Sequence, residues 1–191
     1  MKRLPLILML TLVLAFVISS CSLNSDDTWN KYEDWRNAND AWLTAQAAKT
    51  NADGSKYFTK VVPTWDSQSY VLLHFFNDTT KTQKMLKPLY TSTVDVKYEG
   101  RLYNYEEFDS SYSNTTPADS LFRTSVSDVI GGWAIALMDM HIGDSCEVVI
   151  PYSIAYGSSG STSSSTTIDP YSNLHFFIKL VDIPGYYKPI Y

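Results

Sequence analysis

From residue 57 onward, apolar side chains recur at every second position or in short aromatic and β-branched runs, and one stretch breaks that rule. Segments 57–62 and 69–76 are rich in aromatic and β-branched residues, and Pro63, Thr64, Trp65 and Asp66 separate them as a hairpin-like break. Val94, Val96 and Tyr98 alternate with Asp95, Lys97 and Glu99, the pattern of a strand with one buried face. Segments 146–150 and 174–181 read as further strands. In 126–140, by contrast, Val129, Ile130, Trp133, Ile135, Leu137 and Met138 fit a short helix. Several antiparallel strands and one central helix can hide their apolar faces together only by packing on each other, which predicts an α+β fold.

Ahead of the strands, Trp29, Tyr32, Trp35, Ala38 and Trp42 recur at three- and four-residue spacings, predicting an amphipathic helix that ends before the turn residues Asn51, Ala52, Asp53 and Gly54. Such an aromatic face is expected to pack on its own domain, and the alternative is a homodimer or partner contact through that helix. Earlier still, Met1-Lys2-Arg3 is a positive start and residues 4–18 are an apolar run too short to span a bilayer, so residues 1–20 read as a secretory signal. Ile18-Ser19-Ser20-Cys21 resembles the bacterial lipobox, which implies cleavage before Cys21 and a lipid anchor on that thiol. The expected organisation is signal 1–20, tether and helix 21–56, a β-rich domain 57–185 and a tail 186–191. The expected location is the bacterial cell envelope, periplasmic or at the surface of the outer membrane. Asp26 and Asp27 are compatible with an acidic surface-export tether.

Charge and thiols narrow the function. A formal net charge of −5 with no basic stripe argues against nucleic acid as a partner. Cys146 is the one thiol besides Cys21, so no disulfide closes within the mature chain, and Cys146 reads as a small core residue. His74, His141 and His175 lie in separate segments without ligand spacing, so no metal site is expected. No phosphate loop or nucleophile elbow is present, and no cofactor is expected.

Five blocks carry the functional signal: Val94-Asp95-Val96-Lys97-Tyr98-Glu99-Gly100, Glu107-Phe108-Asp109-Ser110-Ser111, Val129-Ile130-Gly131-Gly132-Trp133, Ala155-Tyr156-Gly157, and Leu174-His175-Phe176-Phe177-Ile178-Lys179-Leu180. In this order and spacing they resemble the FKBP-type peptidyl-prolyl cis-trans isomerases. The resemblance implies a twisted antiparallel sheet wrapped around a short helix, and a pocket for proline-containing polypeptides. On that pattern Trp133 is the pocket floor, and Tyr98, Phe108 and Phe176 are aromatic walls. Val129 and Ile130 form the aliphatic side, with the Ile130 amide directed at a substrate carbonyl. Phe122 matches a further wall, Tyr156 a hydroxyl donor, Asp109 the pocket-edge carboxylate, and Ile168 an apolar residue on the covering loop. The family also implies a hydrophobic residue before the proline.

Each residue has a plainer role when taken alone. A Trp or Phe in a small domain is ordinarily core, Asp109 before two serines is common turn chemistry, and Tyr156 is able to satisfy a backbone carbonyl. Joint occurrence is what separates the readings. Segment 157–167 departs from the family in being almost wholly Ser, Thr and Gly, which predicts a mobile loop, and Ser164 implies a more open side of the pocket. The second glycine of Gly131-Gly132 has no evident role in the sequence. The alternative function, from another class, is a peptide-binding module or holdase chaperone that keeps the cleft without useful turnover.

Overall fold

Alternation along the strands sets the architecture. The computed structural model describes residues 28–163 and 166–185. The signal segment 1–20, Cys21, Asp26, Asp27, Ser164 and the tail 186–191 lie outside the described residues. A helical turn covers 28–31, in which the Tyr32 amide donates to the Thr28 carbonyl at 3.2 Å, and it lies in a first unit that ends at Glu33. The second unit holds α1 (Glu33–Ala48) from Asp34 onward and all that follows.

In that second unit, β1 (Thr59–Val61), β2 (Val71–Phe75), β3 (Thr93–Leu102), β4 (Glu107–Ser110), β5 (Phe122–Ser125), β6 (Ser145–Ile150) and β9 (Leu174–Asp182) form one seven-stranded sheet. The order is β1-β2-β6-β9-β3-β4, with β5 also paired to β3, and every pair is antiparallel. The predicted 57–76 hairpin is the β1–β2 pair, with Thr59 opposite Leu73. The predicted helix at 126–140 is shorter, a single 3-10 turn at Val126–Asp128 followed by α2 (Gly131–Leu137). It breaks between the two because Val129 and Ile130 take extended backbone (φ −102°, ψ 167° and φ −56°, ψ 150°).

Period-two alternation sends Val94, Val96, Tyr98, Cys146, Val148, Ile150, Phe176, Ile178 and Leu180 to the face that packs on α2. Most are fully buried, and each aliphatic side chain so placed contributes about 1.5–3 kcal/mol. Cys146 is among them, with no exposure, and burial pushes its thiol pKa well up. The opposite face carries Leu72, Val149, Glu147 and His175, and Phe58, Trp42 and Leu43 pack over its apolar part. The aromatic face of α1 is thus used within its own domain. Asn39, fully buried, accepts from the Asn173 amide at 2.8 Å, and the Trp35 indole N–H donates to the Ser172 hydroxyl at 3.1 Å.

The described part of the Ser/Thr/Gly segment carries pairing that its composition does not reveal. β7 (Ser161–Thr162) and β8 (Thr167–Ile168) pair as a short hairpin, and the Thr166 hydroxyl donates to the Phe108 carbonyl at 3.0 Å. Its base is closed by the Gly160 amide on the Tyr156 carbonyl (3.1 Å) and the Tyr171 amide on the Gly157 carbonyl (2.9 Å).

Gly132, silent in the sequence, has a packing role. A Cβ there would collide with the Ile150 side chain, so only hydrogen at this position lets α2 close onto β6. At Gly131 a Cβ would meet Ile154 at 3.5 Å, an ordinary contact. Gly132→Ala is therefore expected to lower unfolding free energy by about 1–3 kcal/mol through overpacking. Gly131→Ala should leave stability unchanged or raise it by up to about 1 kcal/mol through helix propensity. Urea denaturation of the two variants side by side checks the difference.

Candidate active site

On the sheet face that packs on α2, five aromatic rings meet around one cavity. Trp133 lies in the first turn of α2 and is only 4% exposed. Its indole meets the Tyr98 ring edge-on, with centroids 5.0 Å apart and planes at 85°, and the Phe176 ring at 5.2 Å and 87°. Tyr98 in turn meets Phe122 at 5.6 Å, and Phe176 meets Phe108 at 5.4 Å, both edge-to-face. Such pairs add about 0.5–1.5 kcal/mol each beyond the area they bury, so the rings fix one another.

Two backbone features make this grouping possible. Gly100 sits directly across from Phe176 in the β3–β9 register, where a Cβ would lie 2.6 Å from the Phe176 ring and 2.8 Å from Phe108. Its missing side chain is the space the two rings occupy. Along β3–β4 the register shifts between Gly100, opposite Asp109, and Arg101, opposite Glu107. Phe108 is left between them as the bulged residue, and such an irregularity re-aims a side chain away from plain alternation.

The rings enclose a cavity of about 270 Å³. Nine of the residues singled out in the sequence line it: Tyr98, Phe108, Asp109, Phe122, Val129, Ile130, Trp133, Tyr156 and Phe176. Ile168 does not. It is buried under a neighbouring recess of about 200 Å³ that shares Phe108, Asp109 and Tyr156 with the main cavity. Asp128, exposed on the 3-10 turn before Val129, lines the main cavity and was missed, because an Asp in a polar run carries no pattern of its own. Gly100 was also missed as a site residue, although a glycine inside a strand pattern is a signal of close approach.

Polar groups at the rim are few. The Tyr98 hydroxyl donates to Asp109 Oδ2 at 2.6 Å. Burial, reinforced by that bond and by the carboxylate charge, pushes the Tyr98 pKa far above its ordinary value. Burial and then the Asp109 charge raise Tyr156 as well. Both phenols therefore remain neutral donors. The Tyr156 hydroxyl and the Ile130 amide donate to no acceptor among the described residues, so Tyr156 does not satisfy a backbone carbonyl. Two free donors beside an apolar floor suit a ligand with an apolar ring and adjoining carbonyl oxygens. The histidines lie elsewhere: His74 Nδ1 meets the Tyr57 carbonyl at 2.8 Å, His141 lies near Asp144, and His175 meets Glu147 at 2.8 Å.

A family model described as FKBP-type peptidyl-prolyl cis-trans isomerase matches residues 86–181. The chain is 38% identical over 96 residues to the FKBP-type 22 kDa peptidyl-prolyl cis-trans isomerase of Escherichia coli, a match covering 50% of this chain and 43% of that protein. It is 33% identical over 147 residues to the peptidyl-prolyl cis-trans isomerase Mip of Coxiella burnetii, covering 75% of this chain and 52% of that one. The chain thus spans about half the length of these two relatives. A solved peptidyl-prolyl cis-trans isomerase from Pseudomonas syringae pv. tomato superposes with a TM-score of 0.60 at 26% identity, covering 80% of this chain and 95% of that one.

Gly100→Ala tests whether the cavity depends on the empty position in β3. The added methyl should displace Phe108 and Phe176 and weaken binding of a proline-containing peptide by at least about tenfold, the equivalent of roughly 1.4 kcal/mol. Titration calorimetry of a variant with an intact far-ultraviolet dichroism spectrum reads that loss.

Proposed function

The chain belongs to the FKBP-type peptidyl-prolyl cis-trans isomerase family, and from that membership we propose that it accelerates X-Pro bond rotation in exported polypeptides. The observation that carries the reading is the cavity: a Trp133 floor and aromatic walls, with the Tyr156 hydroxyl and the Ile130 amide unclaimed at its edge. Proline rests its ring on Trp133, between Tyr98 and Phe176. The carbonyls flanking it accept from Tyr156 and Ile130.

Rotation about an X-Pro bond faces a barrier of about 18–20 kcal/mol because resonance gives the C–N bond double-bond character. Each tenfold in rate requires about 1.36 kcal/mol of stabilisation present in the twisted state and absent from the planar one. A water-poor aromatic recess supplies part of that difference. The planar amide is the more polar form and loses more on leaving water, so its conjugation weakens inside the cavity. Walls shaped for the twisted amide supply the rest. No net proton transfer is needed, in keeping with two phenols held neutral; neither Asp109 nor Tyr156 acts as a general acid or base.

The same proposal puts the domain on the bacterial cell envelope, with Cys21 as the lipid-bearing residue after the Ile18-Ser19-Ser20 stretch. A tether of this kind holds the cavity near polypeptides emerging from translocation. Growth with radiolabelled fatty acid should label the wild-type protein, and Cys21→Ala should abolish the label.

A protease-coupled assay on a proline tetrapeptide tests the activity. Turnover above background is expected, and Trp133→Ala should remove both turnover and binding. Tyr156→Phe should lower turnover more than affinity. Because both phenols titrate above their ordinary range, the rate should hold through the region near pH 10 where a free tyrosine ionises. Peptide binding without any rate above background would favour the non-catalytic binding module instead.

A further inference from the structure

Beside the proline cavity lies the second recess of about 200 Å³, and its chemistry differs from that of its neighbour. Phe108 and Ile168 give it one apolar side, while Ser161, Ser163 and Thr166 of the β7–β8 hairpin give it hydroxyls, and Asp109 stands where the two cavities join. Asp128 adds a second carboxylate on the far rim of the proline cavity. No lysine, arginine or histidine lines either space among the described residues. One Asp109 oxygen accepts from Tyr98, which leaves the other for a ligand, and the Ser161 hydroxyl makes no hydrogen bond among the described residues.

On the isomerase reading above, we infer that this recess is a specificity subsite for a lysine or arginine side chain next to the proline. The aliphatic stem of such a residue lies along Phe108 and Ile168, as long cationic side chains cover apolar surface while their heads stay solvated. The ammonium, with three donors and no acceptor, meets the Asp109 carboxylate and the Ser161 and Thr166 hydroxyl oxygens. An apolar residue of the same length would strand those oxygens against hydrocarbon. A glutamate would face two like charges. The hairpin thereby shifts the family-implied preference for a hydrophobic neighbour toward a cationic one.

The size of the effect is set by exposure. Asp109 and Asp128 are both solvent-exposed, and exposed ion pairs change an equilibrium by about twofold to fivefold. Four tetrapeptide series, with lysine, norleucine, glutamine or glutamate placed either before or after the proline, measure it directly. Lysine is expected to exceed norleucine and glutamine in kcat/KM by that factor at one of the two positions, with glutamate lowest. The excess should shrink in about 1 M salt, where the screening length falls to roughly 3 Å.

Ser161→Lys puts a cation on the recess wall without touching the Tyr98–Asp109 bond. In that variant the lysine preference should vanish and glutamate should gain. Norleucine equal to or better than lysine at both positions overturns the inference, as does a lysine advantage unchanged by Ser161→Lys. Should no peptide be turned over, the isomerase reading fails separately, and calorimetric affinities for the same peptides, ranked in the same way, still uphold or overturn the recess assignment.

Discussion

Everything functional in this domain depends on one indole being held edge-on between two rings on neighbouring strands. Trp133 reaches that place only because α2 comes close enough to the sheet, and the close approach requires hydrogen at Gly132 against Ile150. The rings reach theirs only because β3 has no side chain at Gly100, opposite Phe176. Two missing side chains thus shape the cavity as much as the aromatics that line it. Rings locked by mutual edge-to-face contact and by backbone register cannot collapse into the space, which keeps the pocket preorganised for its ligand.

The buried carboxylates and the donors at the cavity edge differ in how far their hydrogen-bonding capacity is used. On the face under α1, Glu147 is buried yet satisfied, accepting from the Tyr57 hydroxyl at 2.8 Å and pairing with His175 at 2.8 Å. Burial alone would raise its pKa, but those bonds outweigh burial and hold the carboxyl below its ordinary value. Asp144 behaves likewise: burial is outweighed by donors from Thr82, the His141 amide and Asn77. These groups spend their hydrogen bonds on structure. On the cavity face, the Tyr156 hydroxyl and the Ile130 amide are left without acceptors among the described residues, so their capacity is available to a ligand.

Much of this was legible in the chain. Alternation in Val94, Val96 and Tyr98 predicts both a strand and the side of it that is buried, because strand geometry forces successive side chains to opposite faces. The spacing of Trp35 and Trp42 predicts the helix, and the turn at Asn51 to Gly54 its end. Less could be read where the signal is a relation between distant segments. Gly132 has meaning only beside Ile150, and Ile168 belongs to the recess rather than the cavity because the β7–β8 hairpin folds back on Phe108. The serine-rich composition of that hairpin says nothing of the hydrogen bonds that order it.

Residue type and order alone therefore determined the main strands, the presence of the two helices, the buried faces and the family, since these follow from local periodicity and from side chains met in sequence. Register, closeness of approach and the division of one cleft into an aromatic cavity and a hydroxyl-lined recess were decided only in the folded molecule. Those properties are set by distances between segments far apart in the chain, and no local pattern encodes a distance.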